Sequence, residues 1–269
     1  MQRVNACAAI DEKEYLTDAL SREAVSFIDK NAQKPFFIYL AYNAPHTPLQ
    51  ATSKYLERFN NIQNPKRKTY AAMVSAMDDG IGTVLQKLKE KGLEENTMVV
   101  FLSDNGGPTN DNGSNNRPLR GQKSNFWDGG IKVPFAIQWP AKIKAKPGFN
   151  EGVGHIIDLL PTSLELAGVP INNLPGQSLS YLWNGKAMQP ETYFWEHVGN
   201  KAMRKGNWKI VKDVEDAAWE LYDMSMDMTE SNNLAKTNTA LLNQMIAEYE
   251  LWTKQNGVKV FVKGKNKAD

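Results

Sequence analysis

The stretch Thr97-Met98-Val99-Val100-Phe101-Leu102-Ser103-Asp104-Asn105-Gly106-Gly107 decides the fold of this chain. Its apolar, partly β-branched run is short and bounded by polar residues and glycines, which predicts a buried parallel strand rather than a helix. In open α/β sheets, ligands bind beyond the carboxyl ends of strands, where Asp104 and Asn105 would lie. Gly106 and Gly107 would let the backbone turn tightly behind them.

Asp104 and Asn105 allow two interpretations. A carboxylate beside an amide oxygen is a pair of hard ligands suited to Ca²⁺ or Mg²⁺. The same residues form Asx turns, which bind local backbone whether or not a metal is present. The two residues alone leave both interpretations open.

The flanking sequence extends the α/β pattern. Thr17 to Asn31 predicts an amphipathic helix, and Phe36 to Ala41 predicts a second buried strand. Lys68 to Lys91 predicts a long helix ended by Gly92, and Ile131 to Trp139 predicts a further strand. Alternation of helices and strands is typical of an α/β fold with a mostly parallel sheet.

His46 follows the second predicted strand and lies between Pro45 and Pro48. The prolines would hold the backbone extended and remove neighbouring N–H donors. A histidine held in this way can donate to an anion or act as an acid or base, and it can equally bind a loop carbonyl.

A basic loop follows the central strand. It contains Arg117, Arg120 and Lys123 among small turn-forming residues. Such a loop could hold an anionic substrate, with lysine as a compact point charge. The alternative is a solvated basic loop.

The pattern changes from about Ala187 onward. A helix from Leu234 to Trp252 follows, and its tryptophan and the others of this region are expected in the core rather than stacked on sugars. We therefore predict an α/β domain over 1–186 and a small α+β subdomain with an antiparallel sheet over 187–269. The sheet is predicted from short strand-like runs: Tyr193 to His197, Lys201 to Arg204, Trp208 to Lys212 and Trp219 to Tyr222.

Composition excludes several classes of function. The net charge is only +2 and both signs are mixed along the chain, so no nucleic-acid-binding surface is expected. One cysteine, Cys7, excludes an internal disulfide and a cysteine-built zinc site. No apolar run is long enough to predict a membrane span.

Eight short motifs follow one another from about Tyr15 onward. Each motif is weak alone, whereas the ordered set is specific. The motifs are Pro45-His46-Thr47-Pro48, Ser103-Asp104-Asn105-Gly106, Leu119-Arg120-Gly121-Gln122-Lys123, Asp128-Gly129-Gly130-Ile131-Lys132-Val133-Pro134, His155 to Thr162, Leu166-Ala167-Gly168-Val169-Pro170, Trp195 to Arg204 and Trp219-Glu220-Leu221-Tyr222-Asp223. In this order they resemble the sulfatases of the alkaline phosphatase superfamily.

The resemblance implies part of an alkaline-phosphatase-like sandwich and a role for particular residues. Asp104 and Asn105 match two ligands of a single divalent cation, usually calcium. Lys123 matches the lysine that contacts the sulfate and the leaving-group side, and His46 matches the histidine near the ester oxygen. A cation and a lysine would offset charge on the sulfuryl oxygens, while His46 could protonate the departing alkoxide. Arg120 has no secure counterpart.

The departures from the family concern its nucleophile. Sulfatases use a formylglycine made from a C-x-P-S-R or S-x-P-S-R motif, yet these 269 residues contain no Pro-Ser-Arg, and Ala8 follows Cys7. The paired N-terminal aspartates of the metal site are also missing. The chain therefore resembles the C-terminal portion of a sulfatase, with the formylglycine and the rest of the metal site expected in a missing N-terminal half.

The two-zinc phosphatases of the superfamily fit less well. They typically have Asp-His where this chain has Asp104-Asn105, and only three histidines are available here. His155 is expected to be structural or to lie at the rim of the site. His197 is assigned either to the substrate cleft or to core or hairpin packing.

Two functions follow from this reasoning. The first is a sulfuric ester hydrolase for sulfated carbohydrates or aryl sulfates, inactive without its N-terminal half and, by resemblance, periplasmic or secreted. The second is an independent non-catalytic protein, from a split or decayed gene, that binds an anion, a glycan or a partner. The sequence does not choose between aryl and carbohydrate substrates.

Overall fold

The computed structural model describes residues 13–144, 153–184, 192–214 and 218–259. The chain divides into two compact units. The expected boundary between residues 186 and 187 lies outside the described residues and stays a prediction. The first unit comprises Met1–Val99, Pro108–Ser114 and Trp139–Ala141, and the second comprises Val100–Gly107, Asn115–Gln138 and Lys142–Asp269.

The first unit is helical. Its helices are α1 (Leu16–Asn31), α2 (Ser53–Leu56), α3 (Pro65–Glu90) and α4 (Thr109–Asn112). Helix α3 begins earlier than the apolar pattern predicts, because the Asn64 side chain accepts from the Arg67 amide and a proline occupies the first turn. It ends as expected at Gly92, which has a φ of 66°.

Helices α1 and α2 both pack on α3. Tyr55 of α2 is 1% exposed, and its hydroxyl donates to Asp18 of α1 at 2.6 Å. Ala72 and Ala76 of α3 complete this core, since their small side chains allow close packing around the tyrosine ring.

The prediction of a buried strand from Phe36 to Ala41 is wrong. The segment pairs with no strand among the described residues, and Phe37 and Tyr39 are 74% and 84% exposed. The alternate side chains are half-buried, and the Phe36 ring lies edge-on to Phe27 of α1 with centroids 6.0 Å apart. Strand structure depends on hydrogen bonds to a neighbour, and the described residues supply none.

The central strand is present, but it is not deeply buried. Strand β1 (Val99–Leu102) pairs with β2 (Phe135–Gln138), and the Ser103 amide donates to the Pro134 carbonyl at 3.2 Å. Phe101 and Phe135 are 37% and 38% exposed. The strand expected from Ile131 begins later, because Asp128–Ile131 forms the short helix α5.

The second unit contains the predicted antiparallel sheet and its helix. The sheet has the order β3-β4-β5-β6, and Ile210 pairs with both Met203 and Leu221. Besides α5 and β2, the described elements of this unit include α6 (Leu159–Leu166), α7 (Tyr181–Asn184), β3 (Thr192–His197), β4 (Asn200–Lys205), β5 (Trp208–Lys212), β6 (Glu220–Asp223) and α8 (Thr239–Gln255).

Helix α8 covers one face of this sheet. Met245 and Tyr249 are 1% exposed and contact the buried Met203, Ile210 and Leu221. The rings of Trp208, Trp219 and Trp252 pack against the same core, which confirms their structural interpretation. Within the described part of the chain, no helix has the length and apolarity needed to cross a membrane.

Candidate functional site

The Asp104-Asn105 turn follows β1 directly in the second unit. Asp104 is exposed and Asn105 is half-buried. The Ser103 hydroxyl donates to the Asn105 carbonyl at 3.0 Å, and the Asn105 side-chain nitrogen donates to the Gly106 carbonyl at 3.0 Å. Neither of these two bonds uses the side-chain oxygen of Asn105, which is the atom suited to a cation.

Glycines let this turn approach a second segment very closely. The Gly106 amide donates to the Gly130 carbonyl at 2.8 Å. A Cβ on Gly106 would lie 1.8 Å from the Gly129 carbonyl oxygen, and a Cβ on Gly129 would lie 2.4 Å from the carbonyl oxygens of Arg120 and Gly121. Only residues without a side chain fit at these crossings.

Asn116 joins the turn to the basic loop. Its Oδ1 accepts from the Gly107 amide at 3.1 Å, while its Nδ2 donates to the carbonyls of Gly107 and Gly121 at 2.8 and 3.2 Å. The Lys123 amide also donates to the Gly107 carbonyl, at 3.5 Å. The structure thus brings the backbones of the Asp104-Asn105 turn and Lys123 together.

Lys123 lies within a tight turn from Gln122 to Asn125. The Asn125 amide donates to the Gln122 carbonyl at 2.9 Å, and Ser124 has a φ of 77°, as expected at the third position of a type II turn. The Ser124 carbonyl accepts from the Asn200 side chain at 2.9 Å. Lys123 therefore lies on a turn that is held by the C-terminal sheet.

His46 belongs to the first unit and is exposed. Both flanking prolines follow cis peptide bonds, and the His46 amide donates to the Asn43 carbonyl at 2.8 Å. The backbone therefore turns here, and the expectation of an extended segment is wrong. His46 Nδ1 lies 2.6 Å from the Thr47 carbonyl oxygen, which can only accept a hydrogen bond, so Nδ1 carries a proton.

The residues suited to a metal form only part of a coordination shell. Among the described residues, no group of three or more histidine, cysteine, aspartate and glutamate side chains could hold a metal ion. Asp104 and Asn105 have the hard oxygen donors that calcium prefers, but calcium takes about six to eight ligands. The donor chemistry fits the expected cation, with further ligands required from elsewhere.

The remaining histidines have different surroundings. His155 Nδ1 accepts from the Ile157 amide at 3.2 Å, and its ring stacks on Tyr193 with centroids 5.2 Å apart. Burial holds the pKa of His155 below its ordinary value. These contacts favour the structural interpretation, whereas His197 is exposed where β3 enters its hairpin turn, which argues against core packing.

Sequence reasoning did not single out Asn116, which binds Gly107 and Gly121, or the buried Lys209 and Glu230. Asn116 lies in a polar loop whose neighbouring residues give no signal for it. Lys209 lies in a strand-like run, where a lysine is usually solvated. Their importance depends on partners that are distant in sequence.

Two family models match the chain. The model described as Sulfatase matches residues 2–169. The model described as N-sulphoglucosamine sulphohydrolase, C-terminal, matches residues 122–255. Together they cover nearly all of the described residues.

Similar proteins agree with these matches. A "Sulfatase" from Formosa agariphila is 29% identical over 94% of this chain and 52% of its own length. The N-acetylgalactosamine-6-sulfatase of Mus musculus is 30% identical over 83% of this chain and 44% of its own length. Arylsulfatase J of Mus musculus is 42% identical over 50% of this chain and 22% of its own length.

Solved structures confirm the expected α/β sulfatase fold. The crystal structure of Ps i-CgsB in complex with k-i-k-neocarrahexaose has a TM-score of 0.83 and 38% identity, over 94% of this chain and 58% of that one. The chain spans about half the length of most of the relatives it matches. On its family-model matches, the chain belongs to the sulfatase family.

Proposed function

We propose that this chain is the C-terminal part of a sulfatase that hydrolyses sulfate esters. Asp104 and Asn105 supply two of the metal ligands, while Lys123 and His46 act on the substrate. The observation that carries this proposal is the joining of two family motifs at Gly107, whose carbonyl accepts from both Asn116 and the Lys123 amide.

The proposed roles follow from the chemistry of each group. A bound calcium ion would neutralise charge on the sulfuryl oxygens, and a formylglycine outside these residues would supply the nucleophile. Lys123 places a positive charge at the sulfate, where charge develops during cleavage. In its imidazolium form, His46 can give the proton on Nε2 to the leaving oxygen, and the neutral ring that remains keeps the Nδ1 proton on the Thr47 carbonyl.

Sulfated carbohydrate is the proposed substrate class. The structure of Ps i-CgsB, which is 38% identical to this chain, holds k-i-k-neocarrahexaose, and a mouse relative is an N-acetylgalactosamine-6-sulfatase. Arylsulfatase J is 42% identical over half of this chain, so an aryl sulfate is also included as a test substrate.

The proposed partner is an N-terminal sulfatase segment with the nucleophile. Its support is the exposure of Phe37 and Tyr39 on a segment whose strand-like sequence has no paired neighbour among the described residues. An added strand would cover such a segment through backbone hydrogen bonds. A periplasmic or secreted location is proposed from the family resemblance.

Sulfate release tests this function. The full-length protein containing this chain and the isolated 269-residue chain are incubated with an aryl sulfate or neocarrahexaose, with calcium or with a chelator. We expect turnover only by the full-length protein with calcium, and a loss of about 100-fold or more in Lys123→Ala. Lys254→Ala, an exposed lysine of α8, is the control.

Two outcomes would contradict the proposal. Equal activity of Lys123→Ala and the native full-length protein would contradict the role assigned to Lys123. Turnover by the isolated chain that Lys123→Ala abolishes would place a nucleophile within these residues. If the full-length protein binds the oligosaccharide but releases no sulfate with calcium present, that result would instead support the non-catalytic alternative.

A further inference from the structure

A buried ionic cluster lies in the second unit, outside the proposed site. The side chain of Lys209 is fully buried, and its Nζ lies 2.6 Å from Asp128 Oδ1 and 2.7 Å from Glu230 Oε1. The second contact is an ion pair without the alignment of a hydrogen bond. Asp128 and Glu230 are 3% and 0% exposed, so all three charges are removed from water.

The cluster also binds backbone. Glu230 Oε2 accepts from the Asp128 amide at 2.6 Å, at the start of α5. Glu230 itself has a φ of 54°, a conformation that a non-glycine residue rarely adopts. Asp227 holds the loop in this shape by accepting from the amides of Ser231 and Asn232 at 3.1 and 2.8 Å.

A cluster of this kind is weak evidence for stability. Burying charges costs several kcal/mol for each ion, and an apolar replacement of similar volume is often as stable. Two carboxylates share one buried lysine here, and Lys132 Nζ lies 3.9 Å from Asp128 Oδ2. Burial raises the pKa of Glu230, as expected for a carboxyl group removed from water. The cluster is thus better explained by the geometry it imposes.

The backbone that follows Asp128 binds both segments of the proposed site. The residues after Asp128 are Gly129, whose amide donates to the Arg120 carbonyl at 2.6 Å, and Gly130, whose carbonyl accepts from Gly106 at 2.8 Å. The segment fixed by the cluster therefore holds both the basic loop and the turn after Asn105.

Arg120 provides a second attachment of the same loop. Its guanidinium lies 4.0 Å from the centre of the Trp127 ring, and Nη1 donates to the Tyr222 hydroxyl at 2.7 Å and to the Glu230 carbonyl at 3.2 Å. The Trp127 indole donates to Glu220 at 2.7 Å. Arg120 is thus directed toward the C-terminal sheet, consistent with its lack of a counterpart among the site residues.

We propose that Lys209 and Glu230 are positioning residues, which hold the Lys123 loop in register with the Asp104-Asn105 turn by fixing Asp128. The inference rests on the proposed function, because it concerns the geometry of that site. Neither residue contacts the substrate in this proposal. Each acts through Asp128 and the two glycines that follow it.

The test combines hydrogen–deuterium exchange with kinetics in the full-length protein. Lys209→Met and Glu230→Leu remove the contacts, while Glu230→Gln keeps an oxygen that can accept from the Asp128 amide. The surface ion pair of Lys205 and Glu248, at 2.8 Å, provides the matched controls Lys205→Met and Glu248→Leu.

We expect exchange at residues 102–107 and 119–131 to rise about 10-fold or more in Lys209→Met and Glu230→Leu, with no change in α8. We expect kcat for an aryl sulfate to fall roughly 10- to 100-fold, because small displacements of catalytic groups are costly. Glu230→Gln should recover most of the loss, and the control variants should behave as the native protein.

Unchanged exchange in both segments would overturn the inference, and so would an equal rise in α8, which would mean that the cluster only keeps the unit folded. If Glu230→Leu does not fold, the selective rise must appear in Lys209→Met, and its absence there overturns the inference. Exchange does not require turnover. Failure of the native protein to release sulfate would therefore contradict the proposed function separately.

Discussion

Asn116 holds Gly107 by both of its backbone groups, accepting from the amide at 3.1 Å and donating to the carbonyl at 2.8 Å. Asn116→Asp keeps the shape but replaces the donor with a second acceptor. We expect a loss of about 1–3 kcal/mol in the free energy of unfolding, because a partly buried hydrogen bond is lost and two oxygens are opposed. Denaturant unfolding measures this loss.

Asn115→Asp is the matched control for that experiment. The neighbouring Asn115 is exposed, and within the described part of the chain its side chain bonds through its oxygen alone, which accepts from the Arg117 amide at 3.0 Å. Aspartate keeps this acceptor, so the variant should unfold like the native chain. Equal stability of the two variants would show that the Asn116 contacts are dispensable.

Two glycines should respond in opposite directions to alanine. A Cβ at Gly129 would lie 2.4 Å from two carbonyl oxygens, whereas a Cβ at Gly82 of α3 would meet nothing within 4 Å. We expect Gly129→Ala to destabilise by about 1–3 kcal/mol or more, as overpacking does. Gly82→Ala should stabilise by roughly 0.5–1 kcal/mol, because alanine favours the helix. Thermal melts of both variants decide this, and a tolerant Gly129 would contradict the close packing.

His155 should make stability depend on pH. Burial lowers its pKa in the folded chain, so below about pH 6.5 the unfolded chain binds the proton more readily. The stability associated with the neutral ring is therefore present above that pH and decreases as pH falls toward the folded pKa.

The measurement is the melting temperature between pH 7.5 and about pH 5, below the ordinary imidazole pKa. His155→Asn keeps an acceptor for the Ile157 amide but does not titrate, so its melting temperature should fall less with acid than that of the native chain. His197→Asn, at an exposed position, should retain the native pH dependence. Parallel curves for all three proteins would refute the prediction.

The isolated chain should self-associate through Phe36 to Ala41. Phe37 and Tyr39 are 74% and 84% exposed on a segment that pairs with no strand among the described residues, and such backbone is a template for pairing with another copy. Phe37→Ser together with Tyr39→Ser should reduce the associated fraction in sedimentation velocity. Met226→Ser, at another exposed apolar residue that is 85% exposed, is the control. A monomeric, sharply melting native chain would count against this prediction.

The sequence predicts the elements whose signals are local. Apolar periodicity gives α1 and α3, and short runs between glycine turns give β3 to β6, because these patterns depend on neighbouring residues. It fails at Phe36 to Ala41, where strand formation requires a partner that the described residues do not include.

For the candidate site, the sequence identifies the local motifs but not the contacts around them. Asp104, Asn105 and Lys123 are recognisable from motifs, whereas the residues that pack around their segments are not. Lys209 alternates with Ile210 along β5, and the usual expectation is a solvated lysine opposite an apolar core. The structure covers both faces of β5, with Ile210 toward α8 and Lys209 against Asp128, so the lysine is buried as well. Only contacts over long separations in sequence reveal this.

The partners of Arg120 occur 100, 102 and 110 residues later, at Glu220, Tyr222 and Glu230. On a ribosome that adds about 5–20 residues per second, roughly 5–20 s separate the emergence of the loop from that of its attachments. During translation, Arg120 therefore cannot form these contacts until β6 and the loop after it have been synthesised. A nascent chain stopped before Glu220 would carry every proposed sulfate-binding residue and lack the three residues to which Arg120 attaches the basic loop.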